Sequence, residues 1–199
     1  SVPAIRALTQ SNTIASGNRQ MLDDLALARH LALSGRRAVY MVFVPPNVVE
    51  HPRAIREVRG LTTGQRERML IQVTNLSQGQ FTAYALFSPR AAGDQPGQGR
   101  PHYLTEWKLL PEGMFVATDK FVPMSHSKWL EQYSQVADTN RPLPYALFPF
   151  PSEAGPPLGM PYVGFDAHGR VVHQGPQPVR RGESVALSRG SIFYPMTDR

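Results

Sequence analysis

The chain contains no cysteine, which excludes disulfides, thiolate metal sites and a cysteine nucleophile. It has no run of the roughly eighteen apolar residues that a membrane-spanning helix needs, and no secretory signal peptide. Catalytic signatures are equally scarce. There is no Gly-x-Ser-x-Gly elbow to expose a serine nucleophile; Gly182-Glu183-Ser184-Val185-Ala186 lacks the final glycine and leads into a strand pattern. No Gly-Lys-Ser/Thr loop occurs, and the glycines of 93–99 precede no helix that would present amides to a phosphate.

Histidine is present at positions 30, 51, 102, 126, 168 and 173. No two of these lie at the i, i+4 spacing that sets two imidazoles on one helical face for zinc. Asp166, His168 and His173 fall around one expected hairpin turn, where a metal ion is the sharper reading and a solvated turn the plainer one. The plainer reading is preferred, because aspartate suits turns through its side-chain-to-backbone hydrogen bonds. Ser125-His126-Ser127 has no acid partner at a motif spacing and reads as a polar loop. No metal and no cofactor are expected.

What is present describes a folded α+β chain. A hydrophobic content of 41% over 199 residues suits one core. The 19 prolines and 16 glycines are too many for a mostly helical protein, and suit short strands joined by turns and long loops. The net charge of +6 raises the question of nucleic acid or anionic surfaces. The basic residues are scattered, however, without a lysine tract or interleaved aromatics, so a solvated basic surface is the expectation.

The strongest pattern is 18–44, NRQMLDDLALARHLALSGRRAVYMVFV. Met21, Leu25, Ala28 and Ala32 share one stripe, flanked by Leu22 and Leu33, as in a helix with one buried face. Asp23 and Asp24 precede Arg29 and His30, the order a helix dipole favours. Gly35 is placed to close the helix in a left-handed conformation, and 38–44 reads as a strand buried on both faces. Gly17 suggests a kink or break, and Ser1 to Ser16 ahead of it, with Ile5, Leu8 and Ile14 only loosely spaced for a helix, reads on its own as a frayed terminus.

Further on, 47–68 reads as an irregular basic excursion with a turn or two of helix at 53–59. Segments 69–74 and 81–87 read as two strands of a hairpin turning at 77–80, and 88–100 as a flexible loop. Strands are expected at 103–109, 114–118, 145–150, 162–165, 170–173, 184–188 and 191–194. A short helix is expected at 127–136, carrying Trp129, which either anchors the loop or meets a partner. Trp107, in an alternating stretch, is expected in a core or half-buried sheet position. Ser152 to Gly159 reads as a loop.

Several of these segments also carry a family resemblance. Val2-Pro3-Ala4-Ile5 looks like the outer end of a pilin membrane helix, and 22–29 with Ala32 and Arg36-Arg37-Ala38-Val39 matches an "LARxxA" helix, basic turn and strand. Leu110-Pro111-Glu112-Gly113-Met114 resembles an "LPxG" lead into a strand. Phe165-Asp166-Ala167-His168-Gly169-Arg170 resembles an "FxxxGR" hairpin turn, and 185–190 a terminal strand. Together, in order, they resemble the type IV pilin-like proteins, more narrowly the H-type minor pseudopilins of type II secretion.

The resemblance implies a long N-terminal helix laid on an antiparallel sheet with loop insertions. Residues 1–17 would form the stem and 18–199 a single globular domain. The family's Gly-Phe-Thr-Leu-Ile-Glu-type cleavage site and apolar helix are not in the chain, and the resemblance implies that they precede Ser1. It further implies insertion in the bacterial inner membrane facing the periplasm, cleavage by a prepilin peptidase, and assembly with other pilin or pseudopilin subunits, without catalysis. Leu22, Leu25, Ala28 and Ala32 would hold helix to sheet, and Asp23, Asp24 and Arg29 would face neighbouring subunits. Within the family the rival is a DNA-binding minor pilin, for which Arg170, Arg180 and Arg181 are the candidate contacts. Outside it, the rival is a hydrolytic or carbohydrate-active enzyme.

Overall fold

A computed structural model describes residues 2–91, 93–94, 99–122, 141–173 and 183–191, with side chains from residue 12 onward. Helix α1 (Val2–Gly35) is followed by strand β1 (Val39–Phe43), a 3₁₀ turn (Pro46–Glu50), and helices α2 (His51–Glu57) and α3 (Thr63–Ser77). Strands β2 (Ala83–Ser88), β3 (His102–Tyr103), β4 (Lys108–Leu109) and β5 (Met114–Val116) come next, then a second 3₁₀ turn (Thr118–Phe121). The last described elements are β6 (Tyr145–Pro149), β7 (Pro157–Phe165), β8 (Val171–Val172) and β9 (Leu187–Arg189).

Strand β1 lies at the centre of a seven-stranded sheet ordered β3-β2-β1-β7-β6, with β4 also on β2 and β8 on β7. Every pairing is antiparallel. Alternation along β1 sends its side chains to two different cores. Val39, Met41 and Phe43 join Tyr84, Leu86, Val163 and Phe165 beneath α1. Val42 and Val44 join Phe87, Phe148, Met160 and Tyr162 on the opposite face, beneath Ile55 of α2 and Met69, Val73 and Leu76 of α3. The small β5–β9 sheet abuts α1.

The N-terminal helix on an antiparallel sheet is the α+β arrangement expected. Its details differ in several places. First, α1 runs unbroken through Gly17. This glycine is buried, and a Cβ there would stand 3.2 Å from the Met114 side chain, so it lets the helix approach β5 closely. Second, Gly35 is the last helical residue, and the left-handed position falls on Arg36 at φ 46°. The bonds from Arg37 N–H to Ala32 C=O and from Arg36 N–H to Leu33 C=O close a Schellman motif.

Third, the expected hairpin of 69–74 with 81–87 does not form. Residues 69–74 belong to α3, whose start is fixed by a capping box. Thr62 Oγ1 accepts from the Gln65 N–H while the Gln65 side chain accepts from the Thr62 N–H. The chain from 46 to 77 is therefore a helical layer over the second face of the sheet rather than an irregular excursion. The strand expected over 103–109 is two short ones, β3 and β4, separated by 104–107. The helix expected at 127–136 lies outside the described residues, as does most of the strand expected at 191–194.

Candidate functional site

The inner face of α1 holds the helix to the sheet through Met21, Ala28 and Ala32, all buried, with Leu25 packed at their margin. Leu22 corrects the expectation: it is 66% exposed and contributes nothing to that core. At 100° per residue it lies roughly a quarter-turn off the Met21–Ala28–Ala32 line. Ala15, Leu22, Ala26 and Leu33 instead recur at helical spacing along the outward side, and all four are exposed. Among residues 12–16 none is buried, whereas Gly17 is.

The three charges assigned to neighbouring subunits also divide. Asp24 is buried within the fold. Its Oδ2 accepts the Tyr84 hydroxyl at 2.6 Å and its Oδ1 the Lys108 ammonium at 2.6 Å. Gln20 Nε2 donates both to the Tyr84 hydroxyl and to the Leu109 carbonyl. Burial and the carboxylate beside it push the Tyr84 phenol well above its ordinary value, so it remains a donor. Arg29 donates from Nε to the Gly169 carbonyl at 3.0 Å. Asp24 and Arg29 thus bond within the fold, and of the three only Asp24 is buried; Asp23 and Arg29 are both exposed.

The Arg29 contact places the β7–β8 turn against the helix. Gly169 has φ 69°, and a Cβ there would come within 3.0 Å of Leu33, so both backbone and space call for glycine. Asp166 organises this turn, accepting from the amides of His168 and Arg170 and from the Arg170 guanidinium at 2.8 Å. Partial burial pushes the Asp166 carboxyl up, but these donors together outweigh it and hold the group below the usual carboxylate range. Arg170 is therefore already paired with a carboxylate.

The Asp166–His168–His173 grouping does not form. His168 is exposed, 3.8 Å from Asp166, whereas His173 pairs with Glu183 at 3.0 Å. Among the described residues no three His, Asp or Glu side chains are placed to share a metal ion. Arg180, Arg181, His126 and Trp129 lie outside the described residues. Nearby, Lys120 is fully buried, its ammonium donating to the Arg141 carbonyl at 2.6 Å and to Ser184 Oγ at 3.2 Å. Burial pushes this amine down, against the opposing pull of Glu183 and Asp119.

A concavity lies on the other side of the sheet. A groove of about 660 Å³ runs between α3, the 104–107 segment and residues 151–153. Gln72 and Asn75 line it from the helix, Tyr103 and Trp107 supply aromatic rings, and Glu106 and Glu153 supply carboxylates. The rings are locked. Trp107 Nε1–H donates to the Pro151 carbonyl at 2.9 Å, and the Tyr103 hydroxyl to the Pro149 carbonyl at 2.6 Å. Trp107 is half-buried as expected, but as part of this wall. The groove had no signature in the sequence, because its helical side was read as a strand. Comparison of the chain with protein-family models, with curated proteins and with solved structures finds no match to any of them.

Proposed function

We propose that this chain is the globular part of a type IV pilin-like subunit, of the H-type minor pseudopilin kind, whose work is assembly into a pilus-like fibre rather than catalysis. The observation that carries this reading is the two-sidedness of α1. One side is fastened to the sheet by Ala28, Ala32 and the Asp24–Tyr84 bond. The other presents Ala15, Leu22 and Ala26 exposed, with Leu33 beside them at the edge of the β7–β8 turn, and none of residues 12–16 is buried. An apolar stripe on a long helix, left unfilled by its own fold, suits packing against equivalent helices of neighbouring subunits. The segment resemblances at 22–29, 110–114 and 165–170 point the same way, and the last two coincide with the start of β5 and the β7–β8 turn. In this reading the chain is anchored in the inner membrane and faces the periplasm.

The test is the double substitution Leu22→Glu with Ala26→Lys, in the full-length protein expressed from its own gene in its own host. The pair is exposed and spaced to support the helix, so thermal unfolding should be unchanged. Incorporation into the fibre fraction should be lost. Normal incorporation of a folded double variant would overturn the reading.

A further inference from the structure

We infer that the groove between α3 and residues 104–107 and 151–153 binds a cationic side chain, guanidinium or ammonium, presented by a polypeptide partner. The starting point is charge. The chain carries 21 lysines and arginines against 15 acidic residues, yet among the described residues no lysine, arginine or histidine lines this groove, while Glu106 and Glu153 do. Glu106 has no hydrogen-bond or ion-pair partner among the described residues. Glu153 uses Oε1 to accept the Tyr103 amide at 2.8 Å, which fixes the carboxylate against the groove wall.

The aromatic wall supplies the second element. Cations are attracted to the faces of tryptophan and tyrosine, and Tyr103 and Trp107 pack at 5.3 Å from each other. Their polar atoms are already bonded inward, so their rings serve as fixed surface rather than as hydrogen-bonding groups. Gln72 and Asn75, one helical turn apart on α3, add amide groups suited to the backbone of an extended segment. A concave site with a rigid apolar wall and a few convergent polar groups is the usual form of a binding pocket.

Position completes the argument. Trp107 and Tyr103 pack on the core of the sheet face opposite α1. The groove and the outward stripe of α1 therefore occupy different sides of the subunit, and both can be engaged at once. The groove's binding does not depend on the assembly reading, since none of its lining residues belongs to α1.

The test is an NMR titration of the ¹⁵N-labelled full chain, following the Trp107 indole N–H, which the bond to Pro151 makes a distinct reporter. The probes are acetylated tri-arginine amide, its citrulline counterpart as neutral isostere, acetylated tri-glutamate amide, and a neutral glucose oligosaccharide. The arginine peptide should shift the Trp107 signal saturably below about 10 mM, and the citrulline and glutamate peptides should not. Glu106→Gln with Glu153→Gln should weaken binding by about tenfold, the scale of two solvent-exposed charge contacts. Both are exposed, and glutamine at 153 still accepts the Tyr103 amide, so the fold should stay intact by its unchanged amide spectrum. Equal response to arginine and citrulline peptides, saturation by the oligosaccharide alone, no Trp107 shift, or full binding by the double variant would each overturn the inference.

Discussion

Tyr84, the second residue of β2, donates its hydroxyl to Asp24 on α1 at 2.6 Å, joining the first helix to the sheet through a bond between groups of low exposure. Removing that donor leaves a buried carboxylate oxygen short of a partner, which costs about 1–3 kcal/mol. Tyr84→Phe should lower the urea midpoint accordingly. Lys108→Met, at a side chain 40% exposed, should cost less, about 0–1 kcal/mol. A larger loss for the lysine variant would mean that the ion pair, not the phenol, fastens the helix.

Arg36 occupies the left-handed closing position of α1 with φ 46°. A side chain there is strained by roughly 1 kcal/mol, which glycine relieves. Arg36→Gly is expected to raise stability by about 0.5–1 kcal/mol, and Arg36→Ala to give no gain. Differential scanning calorimetry of the two variants decides it, and a glycine variant less stable than the alanine one would contradict the assigned geometry.

His51 gives the fold an acid sensitivity of defined sign. Burial lowers its pKa below the ordinary histidine value, outweighing the carbonyls of Phe150 and Pro156 that favour the protonated ring. Nε2 stands 3.0 Å from the Phe150 carbonyl and donates to it. The unfolded chain therefore binds the proton more readily, so stability from this group is present above about pH 6.5 and lost as pH falls toward the lowered folded value. His51→Phe should flatten the pH dependence of the unfolding midpoint in that window. An unchanged slope would show that His51 titrates alike in both states.

Asp166 works on carboxylates in the same direction, at lower pH. Its folded pKa is depressed, so its stabilisation is present above the unfolded value near 3.9 and fades as pH falls through the folded one. Carbon-detected NMR titration should place its midpoint below the ordinary aspartate value of about 3.9. A midpoint at or above that value would mean that the turn's hydrogen bonds do not persist in solution.

How far the sequence revealed this arrangement depended on which signals were local. The 3.6 period of Met21, Leu25, Ala28 and Ala32 and the apolar run that follows identified α1 and β1, because one face and one strand suffice to make those patterns. Leu22 and Asp24 were misassigned for a shared reason. Hydrophobicity alone put Leu22 inside and charge alone put Asp24 outside, whereas Tyr84 and Lys108, far away in sequence, reverse the second choice. Residues 69–74, MLIQVT, are short, apolar and partly β-branched, and so read as a strand. The decisive local signal was the Thr62–Gln65 capping box upstream, together with Met69, Val73 and Leu76 at helical spacing. Lys120 and the groove were not legible, since each is made by segments that meet only after the sheet has formed.

Helix α1 offers an internal contrast between its two sides. Ala32→Glu places a charge in a fully buried site and should cost several kcal/mol or prevent folding. Leu22→Glu should change stability by no more than about 0.5 kcal/mol. Equal costs at the two positions, by thermal unfolding, would mean that the outward stripe is also buried.

Assembly through that outward stripe is tested most directly by site-specific photocrosslinking in the native host. A benzophenone amino acid is placed at Leu22 or, as the matched exposed apolar control, at Ile71 of α3, 62% exposed. Pilin-like assembly predicts an adduct at position 22 whose mass spectrum identifies a second subunit carrying an N-terminal apolar helix, with no such adduct at position 71. A folded, expressed protein that gives no subunit adduct at position 22, or the same adduct at both positions, would contradict it.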